Sequence, residues 1–291
     1  MIKLAIYNLR WQHGCHGGAR MWPFAKKPVV DADTAAWHVD NFTWLVRQFA
    51  GGAFAQTKLV LPKPGFFTSD GEQGHALALR IFDQVKNYCE MRDWEVDLVE
   101  DDSAIARDLP PSLAFTGPSR HALGTFSASR NAVQISYVPA LLRHPERLVA
   151  TFAHELAHYL LATASEPPPC VDDEMECLTD LAAVFMGFGV FLANARFQHE
   201  TYSDGVMHGW RIGHSGYLPE ADLIFALALF LRAKGFGVEA AGDSLKSHLG
   251  ALLRRALRDL PEDHPDVIHI RQTLADAEAG QGPQAIAAKA G

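Results

Sequence analysis

Apolar positions recur at helical spacing in several long stretches of the chain. Residues 34–50 carry Trp37, Phe42, Trp44, Leu45 and Phe49, and Gly51-Gly52 ends the run. Residues 72–92 repeat the pattern with Ala76, Leu79, Phe82, Val85 and Tyr88. Pro145-Glu146 opens a third helix, proline fitting the first turn and the acid suiting the positive end of the helix dipole. It runs to about Ala164, with Leu148, Phe152, Leu156 and Tyr159 on one apolar stripe. A proline-rich loop, 165–171, separates it from a fourth helix expected to run unbroken from Asp172 to about Ala195. Further helices are predicted from Leu218, apolar between Leu223 and Leu231, and near 240–259 and 264–279.

Between these helices the period shifts to two. Trp94, Val96 and Leu98 alternate with Glu95 and Asp97, the pattern of a half-buried strand. Leu113–Thr116, Gly124–Ser127 and Ala132–Tyr137 read as short strands, with a hairpin turn at Ser129-Arg130-Asn131. Lys58–Leu61 reads as a short strand or extended connector, and Pro62–Gly74 as a loop with Phe66-Phe67 tucked onto the core. The fold class is therefore α+β: a short sheet precedes two central helices, and a helical C-terminal region follows. By segment, the expectation is a disordered N-terminal extension over 1–27, an α/β portion over 28–110, a core over 111–235, a helical region over 236–279 and a frayed tail over 280–291.

Composition narrows the function classes. The chain has 291 residues, 48% hydrophobic and 21% charged, values ordinary for a globular protein. Its formal net charge is −8, and no long basic run appears, which argues against nucleic acid as a partner. The apolar stretch Leu181–Ala193 falls short of the ~20 residues that span a bilayer. Gly187 and Gly189 interrupt it, so a buried core helix is expected and stable membrane insertion is not. The four cysteines form no CxxC pair and the N-terminus lacks a secretory-leader pattern, so a reducing, cytoplasmic location is expected.

The third helix contains His154-Glu155-Leu156-Ala157-His158. Histidines four residues apart lie one turn apart on one helical face, where both imidazoles can reach one metal ion. Nitrogen donors of this kind suit zinc. Glu155 falls beside that face, placed to polarise a metal-bound water. A catalytic zinc needs a third protein ligand, and the next helix supplies Glu176 with Asp180 one turn onward. The interval from His158 is long enough for the first helix to end, a loop to turn and a second helix to return antiparallel. Asp180 is then placed to accept a hydrogen bond from a ligand histidine. Glu174 is the rival third ligand, with Asp172 and Asp173 behind it; Glu176 is preferred because only it has Asp180 one turn onward. Cys170 and Cys177 flank the site and read as inert thiols.

The set His154, Glu155, His158, Glu176 and Asp180 resembles the gluzincin superfamily of zinc metallopeptidases. His-Glu-Leu-Ala-His-Tyr-Leu-Leu is similar to the metal-bearing helix of the ImmA/IrrE peptidases, as is Leu181-Ala182-Ala183 to the alanine-rich run that follows their ligand glutamate. The resemblance implies a zincin-like core, one zinc ion per chain and hydrolysis of a peptide or protein substrate. Glu155 then acts as the general base that later protonates the leaving amine. A further donor should stabilise the oxyanion, with His214 and Tyr217 as candidates and Arg211 and His208 behind them. Two alternatives stand beside this: a regulatory peptidase specific for one protein partner, and a non-catalytic, zinc-stabilised interaction protein.

Overall fold

The computed structural model describes residues 27–50, 53–101, 124–128, 133–200 and 217–280. In chain order the elements are α1 (Ala32–Phe49), a single turn α2 (Ala53–Gln56), α3 (Gly74–Tyr88), β1 (Asp97–Glu100), β2 (Gly124–Ala128), β3 (Val133–Tyr137), α4 (Pro145–Ala162), α5 (Met175–Ala183), α6 (Gly189–Glu200), α7 (Glu220–Ala233), α8 (Ser247–Asp259) and α9 (Pro265–Gly280). The result is predominantly helical with one small sheet, broadly α+β. The expected N-terminal extension up to residue 26, the strand Leu113–Thr116, the turn at 129–131, and the tail beyond Gly280 lie outside the described residues.

The sheet has the order β1–β3–β2. β1 runs parallel to β3, with Leu98 opposite Ile135, and β2 runs antiparallel to it, from Gly124 opposite Tyr137 to Ala128 opposite Val133. Among the described residues β2 is an edge strand, and it lies beside α4.

Helix α4 occupies the centre. Pro145 stands in its first turn, where the missing N–H costs nothing. Its apolar side is anchored by Phe152, whose ring meets Phe82 of α3 edge-on at 5.1 Å and Tyr137 of β3 at 5.8 Å. Burial of such aromatic pairs is worth more than their area alone. This contact set holds α4 between α3 and the sheet on one side, while α5 and α6 pack along its other side.

The unbroken fourth helix expected over 172–195 is not what forms. A 3₁₀ turn at Asp172–Glu174 leads into α5, a π turn at Val184–Phe188 interrupts it, and α6 then continues to Glu200. The break has a tertiary cause. The segment at Lys58–Val60 crosses here, and Val60 N–H donates to Gly187 O at 3.0 Å. Gly187 sits at φ +96°, and a Cβ on it would collide with the carbonyl oxygen of Lys58. Only glycine tolerates both conditions. Lys58–Leu61 is accordingly an extended connector rather than a strand. By length and composition the helical run Asp172–Arg196 could cross a membrane, but 89% of its most apolar window is buried inside the protein.

The core runs continuously from Val39 to Leu274. The boundaries expected at 110 and 235 do not divide it: β1 pairs with β3 across the first, and α9 packs on α1 and α7 across the second. α7, buried from Leu223 to Leu231, joins α5 and α6 to α8 and α9.

Candidate metal centre

α5 runs back along α4, so residues that rise in number on one helix face residues that fall on the other. His154 meets Glu176 and Asp180; His158 meets Glu176 and Thr179. His154 Nε2 lies 3.2 Å from Glu176 Oε2, and His158 Nε2 lies 3.6 Å from the same oxygen. Ligand atoms of these three side chains all lie within 4.8 Å of one another. A tetrahedral zinc with bonds near 2.0 Å has ligand–ligand edges of about 3.3 Å, so the spacing fits a single ion. Among the described residues this is the one such group.

The other ring nitrogens are held as a metal site requires. His154 Nδ1 lies 2.9 Å from Asp180 Oδ1, an acceptor, so Nδ1 carries a proton. His158 Nδ1 lies 3.3 Å from Thr179 Oγ1. The Thr179 hydroxyl spends its single hydrogen on Met175 O at 2.8 Å, so it too accepts from the histidine. With both protons assigned to Nδ1, both Nε2 lone pairs face Glu176 once the rings are neutral. This orientation by outer partners is a common feature of histidine metal ligands.

Burial and charge follow from the packing. His154, Glu155 and Asp180 are buried, while His158 and Glu176 are half-exposed, so the centre opens to solvent on their side. Burial opposes an imidazolium at His154. Hydrogen bonds to Asp180 and Glu176 outweigh it, and its pKa is pushed up to about 10. Burial likewise opposes charge on Glu176, but the two histidines hold its carboxyl well below the usual range. The metal-free centre is therefore a protonated histidine bridged to two carboxylates. Burial pushes the Glu155 carboxyl up, and Glu176 adds to this against the pull of the two histidines. A raised carboxyl pKa is what a group that must take and return a proton needs.

Tyr217 reaches the centre, its ring 5.2 Å from that of His154 and beneath the guanidinium of Arg196 at 5.0 Å. Asp180 places it there: its second oxygen accepts from Leu218 N–H at 3.0 Å, tying the chain just before α7 to α5. Burial pushes the Tyr217 phenol up, so it stays a donor at neutral pH. His214, His208 and Arg211 lie outside the described residues.

The rivals are accounted for. Glu174 Oε2 accepts from Trp37 Nε1 at 2.8 Å and from Val171 N–H at 3.2 Å, so it anchors α1 to the start of α5 and does not join the His154, His158 and Glu176 group. Asp172 and Asp173 are exposed in the preceding turn. The Cys177 thiol is buried and pushed up, and that of Cys170 is pushed up to about 11, also by burial, so neither offers a thiolate. Two partners escape a reading of the sequence: Thr179 and the Leu218 amide. Thr179 leaves a faint signal, a hydroxyl between Glu176 and Asp180 on the same helix. A backbone amide leaves none. Comparison of the chain with protein-family models, with curated proteins and with solved structures finds no match.

Proposed function

We propose that the protein is a zinc-dependent peptidase with a zincin-type centre, and that His154, His158 and Glu176 hold the metal. The observation that carries this is the convergence of two Nε2 atoms and one carboxylate oxygen, with Glu155 buried beside them. Three protein donors leave a fourth position for water or substrate, the mark of a catalytic rather than a structural zinc. Zinc bound there would supply Lewis acidity toward water and a peptide carbonyl.

The protein's own groups perform the remaining steps. Glu155 takes the proton of the attacking water and returns it to the leaving amine. Asp180 and Thr179 keep the two imidazoles in the tautomer that presents Nε2. Tyr217, protonated and packed on His154, is the candidate donor to the developing oxyanion. β2 lies beside α4, and its outer backbone edge, unpaired among the described residues, offers hydrogen bonds to an extended peptide. A peptide or protein substrate and a cytoplasmic location belong to this reading.

The test pairs metal content with turnover. Purified protein should carry one zinc per chain, lost in His154→Ala and Glu176→Ala. Glu155→Gln should keep its zinc and lose at least about 100-fold in peptide hydrolysis, the scale of general-base catalysis. Full activity in Glu155→Gln refutes the mechanism, and full zinc in both ligand variants refutes the site.

A further inference from the structure

Helix α8 turns a basic face to solvent. Leu249, Gly250, Leu253, Ala256 and Leu257 are buried, and the helix packs on α7. At 100° per residue, the opposite sector carries His248, Ala251, Arg254, Arg255 and Arg258, all of them exposed. His248 lies 3.4 Å from Glu220, which leaves the three arginines as the charge of the stripe. The flanking acid, Asp259, is engaged within the fold. It accepts from Val29 N–H at 3.0 Å and lies 3.7 Å from Arg258. An ion pair as exposed as that one neutralises little. In a chain of net charge −8, three arginines on one helical face are a local reversal of sign.

The N-terminal part of the chain meets this face. Arg255 Nη2 donates to Lys27 O at 3.0 Å, so residues 1–26 depart from beside the stripe. Up to residue 27 the chain holds Lys3, Arg10, Arg20, Lys26 and Lys27 and no Asp or Glu. A segment of like charge does not neutralise the arginines, so both call for the same anionic partner. Residues 281–291 hold one lysine and no acid, so they do not supply it either. Asp31, which feels the Lys27 charge, is spent on capping α1 through Thr34 N–H. Met21-Trp22-Pro23-Phe24 stands just before Lys26-Lys27. Bulky aromatics beside lysines suit the interface of a bilayer, with rings at headgroup level and ammonium groups at the phosphates. The face of α8 carries no Phe, Tyr, Trp, Asn or Gln to stack on a base or read its edge.

We propose that the outer face of α8, with the segment that leaves it at Lys27, docks the protein on an anionic phospholipid surface. The attachment is peripheral: arginines and lysines meet headgroup phosphates, Trp22 and Phe24 enter the interface, and no spanning helix is required. Each basic residue near such a surface is worth about fivefold in binding, so Arg254, Arg255 and Arg258 together are worth about 100-fold. The attraction is confined to about a Debye length, ~8 Å at physiological salt, so acidic parts of the protein held further off oppose it little. This docking stands independently of the peptidase reading.

Co-sedimentation tests it. The full chain is mixed with vesicles of phosphatidylcholine alone, or with vesicles in which about one third of the lipid is phosphatidylglycerol. It should pellet with the anionic vesicles only. Raising salt to about 1 M, where the Debye length is ~3 Å, should release most of it. Arg254→Gln, Arg255→Gln and Arg258→Gln together should weaken binding to the anionic vesicles about 100-fold. All three side chains are exposed, so the melting temperature and helical circular dichroism should match the parent's. Arg254→Gln with Arg258→Gln spares the Arg255 contact to Lys27 and should cost about 30-fold. Trp22→Ala with Phe24→Ala should cost about tenfold, less than the full burial of one aromatic ring. Equal binding to neutral vesicles, binding that survives high salt unchanged, or a triple variant within about threefold of the parent overturns the docking. Tighter binding to single-stranded DNA or to polyglutamate than to anionic vesicles, at equal charge concentration, also overturns it and gives the face to a nucleic acid or an acidic protein. Peptide hydrolysis in solution should be unchanged in these variants, so either reading can fail and leave the other standing.

Discussion

Asp180→Asn is the substitution that tests the centre most sharply, because it changes one atom's chemistry and keeps the shape. Asp180 accepts two hydrogen bonds, from His154 Nδ1–H at 2.9 Å and from Leu218 N–H at 3.0 Å, and all three residues are buried. An asparagine has one acceptor oxygen, so only one donor can be satisfied. If the oxygen stays with Leu218, the amide NH₂ faces His154 Nδ1 and drives the ring to the tautomer with its proton on Nε2, where the metal should bind. If it stays with His154, the NH₂ faces the buried Leu218 amide, donor against donor. A hydrogen bond to a charged group is worth about 1.5–3 kcal/mol, and loss of an outer partner of a metal ligand costs about 10- to 100-fold in affinity. These agree, since about 1.4 kcal/mol is a factor of ten. Zinc affinity, measured by competition with a chromophoric chelator, should fall by that 10- to 100-fold factor. Thr179→Val should weaken zinc less, since its 3.3 Å contact to His158 is longer and neutral, and Thr179→Ser should restore it. Zinc affinity in Asp180→Asn within threefold of wild type, with the fold intact, would refute the tautomer argument.

Further outcomes follow from the same geometry. The pKa of His154 in the metal-free protein is pushed up to about 10, so zinc binding near pH 7.5 should release about one proton from it, measurable by calorimetry in buffers of different ionisation enthalpy. A raised folded-state pKa gives stability fully present below the unfolded value of about 6.5 and lost as pH rises toward 10; metal-free protein should therefore lose melting temperature across that window, and zinc-loaded protein should not. Glu176 has the opposite sign: its depressed pKa gives stability present above about 4.5 and lost progressively as pH falls below that value. Finally, Gly187→Ala places a Cβ against the Lys58 carbonyl at positive φ, and should cost about 2–4 kcal/mol in denaturant unfolding; a loss under 1 kcal/mol would mean the crossing at Lys58–Val60 yields easily.

Much of the fold was legible because it is written in local periodicity. The boundaries of α1, α3, α4 and α7 lie within a few residues of those the apolar spacing predicts; β2 and β3 form in the spans read as short strands, while β1 overlaps the alternating stretch Trp94–Val99 only from Asp97 onward. The four side chains His154, His158, Glu176 and Asp180 could be chosen in advance for the same reason. A spacing of four is one helical turn whatever the rest of the chain does. Where prediction failed, the cause lay far away in sequence. The unbroken helix over 172–195 is split because residues near 60 cross it, and no local preference of that stretch encodes the crossing.

The candidate site divides along the same line. Sequence alone determined that two histidines share a face and that a glutamate and an aspartate share another, since helical geometry is a property of a short segment. Tertiary structure decided which atoms meet. It brought Glu176 Oε2 to both Nε2 atoms and spent Glu174 on Trp37. It gave His158 the Thr179 hydroxyl and tied Leu218 to Asp180. Each of these depends on how two or three elements pack. Packing is set by the summed burial of side chains from across the whole chain, which no short window of sequence contains.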